Sequence, residues 1–256
     1  MELPEYRRFT RELHLRLEAD PRVLGLVAVG SMAEQDYAPD RWSDHDFFVV
    51  VAPGAQESFR SDLRWVPRSE EIALSFRETA HGVKVVLRDG HLLEFAVFDP
   101  EELALARVNR YRVLLDRERI AERIERVVGA TRSSPELAVP GDDWLTGQFL
   151  TALLVGVGRH HRGERLSGRQ LVAGKAVSHL VRLFEKHVVS ESVGLLDGLD
   201  PLRRFELAYP APGARLNAIQ SMETPAAALA LLDLAVAELP HLFAAGAIAA
   251  VRSRLG

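Results

Sequence analysis

Residues 27–51 read VAVGSMAEQDYAPDRWSDHDFFVVV, and this stretch decides the fold. It opens on the end of an apolar run, residues 23–29 (VLGLVAV), which is short, Val-rich and bounded by Pro21 and Gly30, the pattern of a buried strand. It closes on a second apolar run, residues 47–51, whose strand is expected to begin near Asp44. Between the runs stand Gly30-Ser31 and, after twelve intervening residues, Asp44-His45-Asp46. Side chains alternate across a strand, so Asp44 and Asp46 project to one side and can share a divalent cation. A glycine at the end of a strand lets the backbone approach a phosphate, and the Ser31 hydroxyl and the following amides can donate hydrogen bonds to it. Residues 32–36 are expected to open a helix.

Working outward, Tyr6, Phe9, Leu13 and Leu17 recur at helical spacing and predict an opening amphipathic helix that Asp20-Pro21 ends. Downstream, residues 83–98 read VKVVLRDGHLLEFAVF, a tight antiparallel hairpin with a two-residue turn at Asp89-Gly90. On its second arm Leu92, Glu94, Ala96 and Phe98 share a face on which only Glu94 is charged. A carboxylate in that position requires a metal ion or a basic partner, because burying it unpaired costs several kcal/mol. Residues 56–78 and 100–128 carry helical patterns, the latter including LALARVNRYRVLL and RIAERIERVV. Near residue 135 the composition shifts to Thr, Ser, Pro and Gly, marking a connection. Beyond it helices are expected over Trp144 to His161, Gly168 to His187, about Pro201 to Tyr209, and twice between Thr224 and Leu255. The fold class is therefore α+β: a mixed sheet with flanking helices over residues 1–135, then an all-α helical bundle over residues 136–256.

The 256 residues are 47% hydrophobic and 27% charged, enough for ordinary globular cores. A net charge of −4 argues against a nucleic-acid partner, which would need a clustered basic surface. The absence of cysteine excludes disulfides, thiolate metal sites and cysteine nucleophiles. No run reads as a signal peptide or a membrane span, so a cytoplasmic protein is expected. Lysine occurs only as Lys84, Lys175 and Lys186 among 32 basic residues. Lys175 lies, with Ser178, His179 and Arg182, on the polar side of a helix whose stripe Ala173, Val177, Leu180 and Phe184 faces a core.

Three carboxylates on neighbouring strands, Asp44, Asp46 and Glu94, make a hard-oxygen site suited to Mg²⁺, which takes its other ligands from water and substrate phosphates. In order and spacing, Gly30-Ser31, Asp44-His45-Asp46 and the later strand residue Glu94 resemble the DNA polymerase β-like nucleotidyltransferase superfamily. Ser43-Asp44-His45-Asp46 and the helical second half are most similar to the antibiotic nucleotidyltransferases that act on aminoglycosides or lincosamides. The resemblance implies an enzyme that uses Mg²⁺, two ions in all, and ATP or another nucleoside triphosphate, and whose acceptor is a small-molecule hydroxyl. It implies that Asp44 and Asp46 bind metal and that Gly30, Ser31 and Ser43 hold the triphosphate. Glu94 would be a third metal ligand or the general base, and Lys175 a triphosphate clamp from the helical domain, which would complete the cleft and set acceptor specificity. Two positions depart from the family pattern: the polar His45 stands where an apolar residue is usual, and Glu34-Gln35 replaces a more basic or glycine-containing continuation. Trp42 is a candidate stacking surface, and Glu34, Asp36 and Asp40 form an acidic loop that would attract a cationic acceptor. His160-His161 reads as a helix end. Transfer of AMP to a protein and a non-catalytic nucleotide-binding role are the competing readings.

Overall fold

The computed structural model describes residues 1–35 and 37–255, and the chain divides into two compact units, Met1–Glu136 and Leu137–Gly256. The first is built on a six-stranded sheet of β1 (Val23–Val29), β2 (His45–Val51), β3 (Ile72–Arg77), β4 (Gly82–Leu87), β5 (Leu92–Phe98) and β6 (Tyr111–Asp116). The strand order is β3-β4-β5-β2-β1-β6. Each neighbouring pair is antiparallel except β2 and β5, which run parallel. Among the described residues the α-helices α1 (Leu3–Glu18), α2 (Gln56–Ser61) and α3 (Ile120–Arg132) accompany the sheet.

Alternation along the strands divides the apolar side chains between two cores. Helix α1 buries Tyr6, Phe9, Leu13 and Leu17, and these join Leu26, Phe47, Val49, Leu93, Phe95 and Val97 on one side of the sheet. Each fully buried side chain of this size contributes roughly 1.5–3 kcal/mol relative to exposure. On the other side Val27, Val50 and Phe98 pack with Ile120, Ile124, Val127 and Val128 of α3. Asp46 and Glu94 belong to this second side by strand parity, at the end where the sheet is only partly covered.

Four expectations are corrected here. Residues 56–78 are helical only over Gln56–Ser61 and in a short turn at Ser69–Glu71, and Ile72–Arg77 is an edge strand paired with β4. Within 100–128, Tyr111–Asp116 is a strand that closes the opposite edge against β1. The turn between β4 and β5 has three residues rather than two: the Leu87 amide donates to the His91 carbonyl (2.9 Å), and the Gly90 amide donates to the Leu87 carbonyl (2.8 Å). Gly90 has φ +83°, the left-handed conformation that such a loop requires of its last residue. Finally, Gly30–Ala33 is one tight 3₁₀ turn, ended by Glu34 at φ 51°, and among the described residues it does not continue as an α-helix.

The second unit is helical, with α4 (Asp142–His161), α5 (Arg165–Arg169), α6 (Val177–His187), α7 (Phe205–Ala208), α8 (Pro210–Gln220), α9 (Thr224–Glu238) and α10 (Ala245–Leu255). A π-helical segment, Gln170–Ala176, joins α5 to α6, so the helix expected from Gly168 starts earlier and is widened in its middle. Leu145, Phe149 and Leu153 of α4 share one core with Leu180 and Phe184 of α6 and with Leu231 and Leu234 of α9. Close crossing is possible because a Cβ on Gly168 would lie 2.6 Å from the Gly156 carbonyl oxygen. Helix α8 was not expected. Its Pro-Ala-Pro-Gly start suggests a loop, yet prolines are tolerated in a first turn, where the amides have no partner within the helix. The expected helix over Pro201 to Tyr209 shrinks to the four residues of α7.

Candidate active site

The parallel pairing of β2 with β5 places Asp46 directly opposite Glu94. Asp44, two residues earlier, extends the same face. One carboxylate oxygen from each of the three residues lies within 4.8 Å of those of the other two, and all three side chains are partly exposed. This is the constellation the strand alternation predicts, assembled from two segments that are distant in sequence. Three hard oxygens so close suit Mg²⁺ or Mn²⁺ and repel one another without a cation between them.

Gly30 closes over the site. It has φ +56°, and a Cβ added there would stand 2.8 Å from Asp46 Oδ2, so both the turn and the close approach require glycine. Ser31 is buried, and no partner meets ordinary hydrogen-bond geometry for its hydroxyl. It lies near enough to the Tyr6 hydroxyl to influence that group's ionisation. Ser43, by contrast, is engaged within its own loop: its hydroxyl accepts from the Asp40 amide (3.0 Å) and donates to Asp40 Oδ1 (3.2 Å).

The residue that sequence reasoning missed is Lys84. It sits opposite Glu94 on β4, and its Nζ is 2.9 Å from Glu94 Oε1 and 2.9 Å from Glu78 Oε1. Those two carboxylates hold the ammonium strongly charged, its pKa raised above the ordinary lysine range by Glu78 first and Glu94 second. The basic partner demanded by Glu94 on its sheet face is therefore present.

Behind the aspartates, His45 points the opposite way and is fully buried. Its ring stacks on Tyr6 with centroids 3.7 Å apart, its Nδ1 is 2.7 Å from His91 Nε2, and its Nε2 is 3.0 Å from the Thr10 hydroxyl. Burial, reinforced by His91, holds His45 well below the ordinary imidazole pKa, and burial brings His91 down to about 4. Both rings are thus neutral near pH 7 and share one proton between them. The Tyr6 hydroxyl donates to the Asp44 carbonyl oxygen (2.7 Å), which ties the start of β2 to α1. His45 thus packs against Tyr6, whose hydroxyl fixes the loop end that carries Asp44.

Trp42 beside the motif is 79% exposed, with the Arg41 guanidinium 4.4 Å above its ring, so it is not packing in a core. Two members of the expected acidic loop are occupied: Glu34 pairs with Arg7 (3.3 Å) and Arg112 (3.6 Å), and the Asp40 carboxylate takes the Trp42 amide (2.8 Å). Asp36 lies outside the described residues. In the second unit Lys175 is exposed within the π-helical segment, and Arg182 pairs with Glu185 (2.7 Å). His160 and His161 end α4, the position their sequence context implies.

No protein-family model matches the chain, and no curated protein does. Among solved structures the chain is similar to an aminoglycoside 6-adenyltransferase from Bacillus subtilis, at 12% identity and a TM-score of 0.40, over 96% of this chain and 95% of that one. It is also similar to a nucleotidyltransferase-like protein from Exiguobacterium sibiricum 255-15, at 16% identity and a TM-score of 0.34, over 97% of this chain and 75% of that one.

Proposed function

We propose that the chain is an Mg²⁺-dependent nucleotidyltransferase that moves a nucleoside monophosphate, AMP from ATP, onto a hydroxyl of a small molecule. The observation that carries this reading is the convergence of Asp44, Asp46 and Glu94 on one sheet face beside a glycine turn that touches Asp46. Asp44 and Asp46 would hold the metal; once bound, Mg²⁺ supplies charge neutralisation for the triphosphate and the leaving pyrophosphate. The amides of the Gly30 turn and the Ser31 hydroxyl are assigned to phosphate oxygens. Tyr6, through the Asp44 carbonyl, keeps the first aspartate in register. Glu94 stands beside Asp46 to receive the proton of the attacking hydroxyl or to complete the metal shell. Lys175 and the helical unit, residues 136–256, are assigned by resemblance to the triphosphate and to acceptor choice.

The acceptor class to test first is the aminoglycoside and lincosamide antibiotics, by the resemblance of Ser43-Asp44-His45-Asp46 and the helical second half. Such an activity would make the chain an antibiotic-resistance enzyme. The test is pyrophosphate release from ATP, GTP, CTP and UTP with Mg²⁺ across a panel of hydroxylated acceptors, with mass spectrometry of the acceptor. An acceptor heavier by one nucleoside monophosphate is the expected result. A chain that binds nucleotide yet releases no pyrophosphate with any acceptor, and labels no protein in a lysate, would return the fold to a binding role.

A further inference from the structure

We infer that Lys84 is a positioning residue for the proposed transfer: it holds Glu94 by one carboxylate oxygen, keeps that carboxylate out of the metal shell and leaves it to take the acceptor's proton. The inference rests on the nucleotidyltransferase reading and divides the three carboxylates into two aspartates for metal and one glutamate for the proton.

The geometry is specific. Lys84 and Glu94 are directly opposed on antiparallel strands, so their side chains rise from the same face at cross-strand contact distance. The ammonium is fixed from two sides, 2.9 Å from Glu94 Oε1 and 2.9 Å from Glu78 Oε1. Glu78 is itself anchored by its amide, which donates to the Gly82 carbonyl (3.1 Å) across the turn from β3 to β4. With two carboxylates on one ammonium, neither is released without leaving the other to hold the charge alone.

A divalent ion drawing on all three acids would have to share Glu94 with this ammonium, and two cations on one carboxylate repel each other at short range. The repulsion falls on the Glu94 side of the cluster and leaves Asp44 and Asp46 as the favourable ligands. A carboxylate held through one oxygen by a lysine keeps its second oxygen to accept a hydrogen bond. When the acceptor hydroxyl attacks, its O–H bond breaks and the proton passes to that oxygen. The new O–P bond forms at the α-phosphorus as the bond to pyrophosphate breaks.

The experiment is titration of the full chain with Mn²⁺ in the absence of nucleotide, read by electron paramagnetic resonance of the free ion. Its arms are wild type, Lys84→Met, Lys84→Gln, Lys84→Arg, Glu94→Gln, the Lys84→Met/Glu94→Gln double variant and Asp46→Asn. Lys84→Met and Lys84→Gln are expected to bind Mn²⁺ about threefold to tenfold more tightly, because Glu94 is freed to join the ion. Glu94→Gln is expected within about twofold of wild type, Lys84→Arg likewise, and the Lys84 substitution is expected to add nothing in the Glu94→Gln background. Turnover of Lys84→Met is expected to fall about tenfold or more with the KM for the triphosphate unchanged. An unchanged or weaker Mn²⁺ affinity on removing Lys84 overturns the inference. So does an equal gain in the Glu94→Gln background, which would be charge acting at a distance, or a large loss of metal in Glu94→Gln alone. These outcomes are separable from failure of the functional reading. Wild type that binds no Mn²⁺, or Asp46→Asn that binds it equally well, removes the metal site itself.

Discussion

Consecutive residues at the start of β2 and just before it show two ways of holding a polar side chain. Asp44 and Asp46 face the side where the sheet is only partly covered, remain partly exposed and converge with Glu94. His45, between them, points into the α1 core, is fully buried and meets Thr10 and His91. A carboxylate would need a partner charge to survive there, whereas an imidazole can shed its proton and be satisfied by neutral donors and acceptors. The difference teaches that one face of the strand keeps charge in reach of solvent and the other carries polarity into the core.

The sharpest way to break this division is Asp46→Asn. It should lower turnover by about a thousandfold or more, read as pyrophosphate release, with the melting temperature little changed. An active variant would remove the site assignment. Gly30→Val comes next, because it places a branched side chain at φ +56° and drives Cβ toward Asp46 Oδ2, 2.8 Å away. It should cost about 1–3 kcal/mol of stability by denaturant titration and at least about tenfold in turnover of the folded protein. His45→Leu tests the other face. It leaves the His91 ring without its partner while the Thr10 hydroxyl keeps its bond to the Tyr6 carbonyl, should destabilise by about 1–3 kcal/mol, and should leave metal binding within about threefold of wild type. A large loss of metal affinity would show that the two faces are not separate.

The smallest expected effect is pH-dependent. His91 titrates at about 4 in the folded chain, against an ordinary value of 6.5 when unfolded. Below 6.5 the unfolded chain takes up a proton that the native one refuses. This contribution to stability is therefore complete above pH 6.5 and is lost as the pH falls toward 4. The melting temperature should decline over that window, and less so in a His45→Leu/His91→Leu variant. Equal slopes would place the effect elsewhere.

The legible parts of the sequence were those where burial and spacing agree. Residues 23–29 could be only a buried strand, and Asp44 and Asp46 shared a face by alternation alone. Edge strands were illegible for the converse reason. β3 is held by backbone hydrogen bonds to β4 while Leu74 and Phe76 stay about half exposed, at 52% and 47%, so burial imposes no clean period on it. β6 lies next to the short turn at Glu102–Leu105, whose LALAR sequence extends a helical pattern over it. Lys84 was missed through one residue of turn length. A two-residue turn at Asp89-Gly90 would set Glu94 against Val85, whereas the observed three-residue loop shifts the register and sets it against Lys84. The hairpin was recognised, but not the pairing that matters for the chemistry.

The parallel alignment of β2 with β5 has a consequence for synthesis. Parallel strands cannot be joined by a tight turn, and the intervening chain must first leave the sheet and lay down β3 and β4 before β5 arrives beside β2. A nascent polypeptide that has emerged only as far as β4 carries both aspartates at the start of a strand whose β5 side is still unpaired. The finished site is not in place until β5 has paired with β2. Magnesium should accordingly protect the assembled first unit from proteolysis more than it protects ribosome-stalled fragments that end before Leu92.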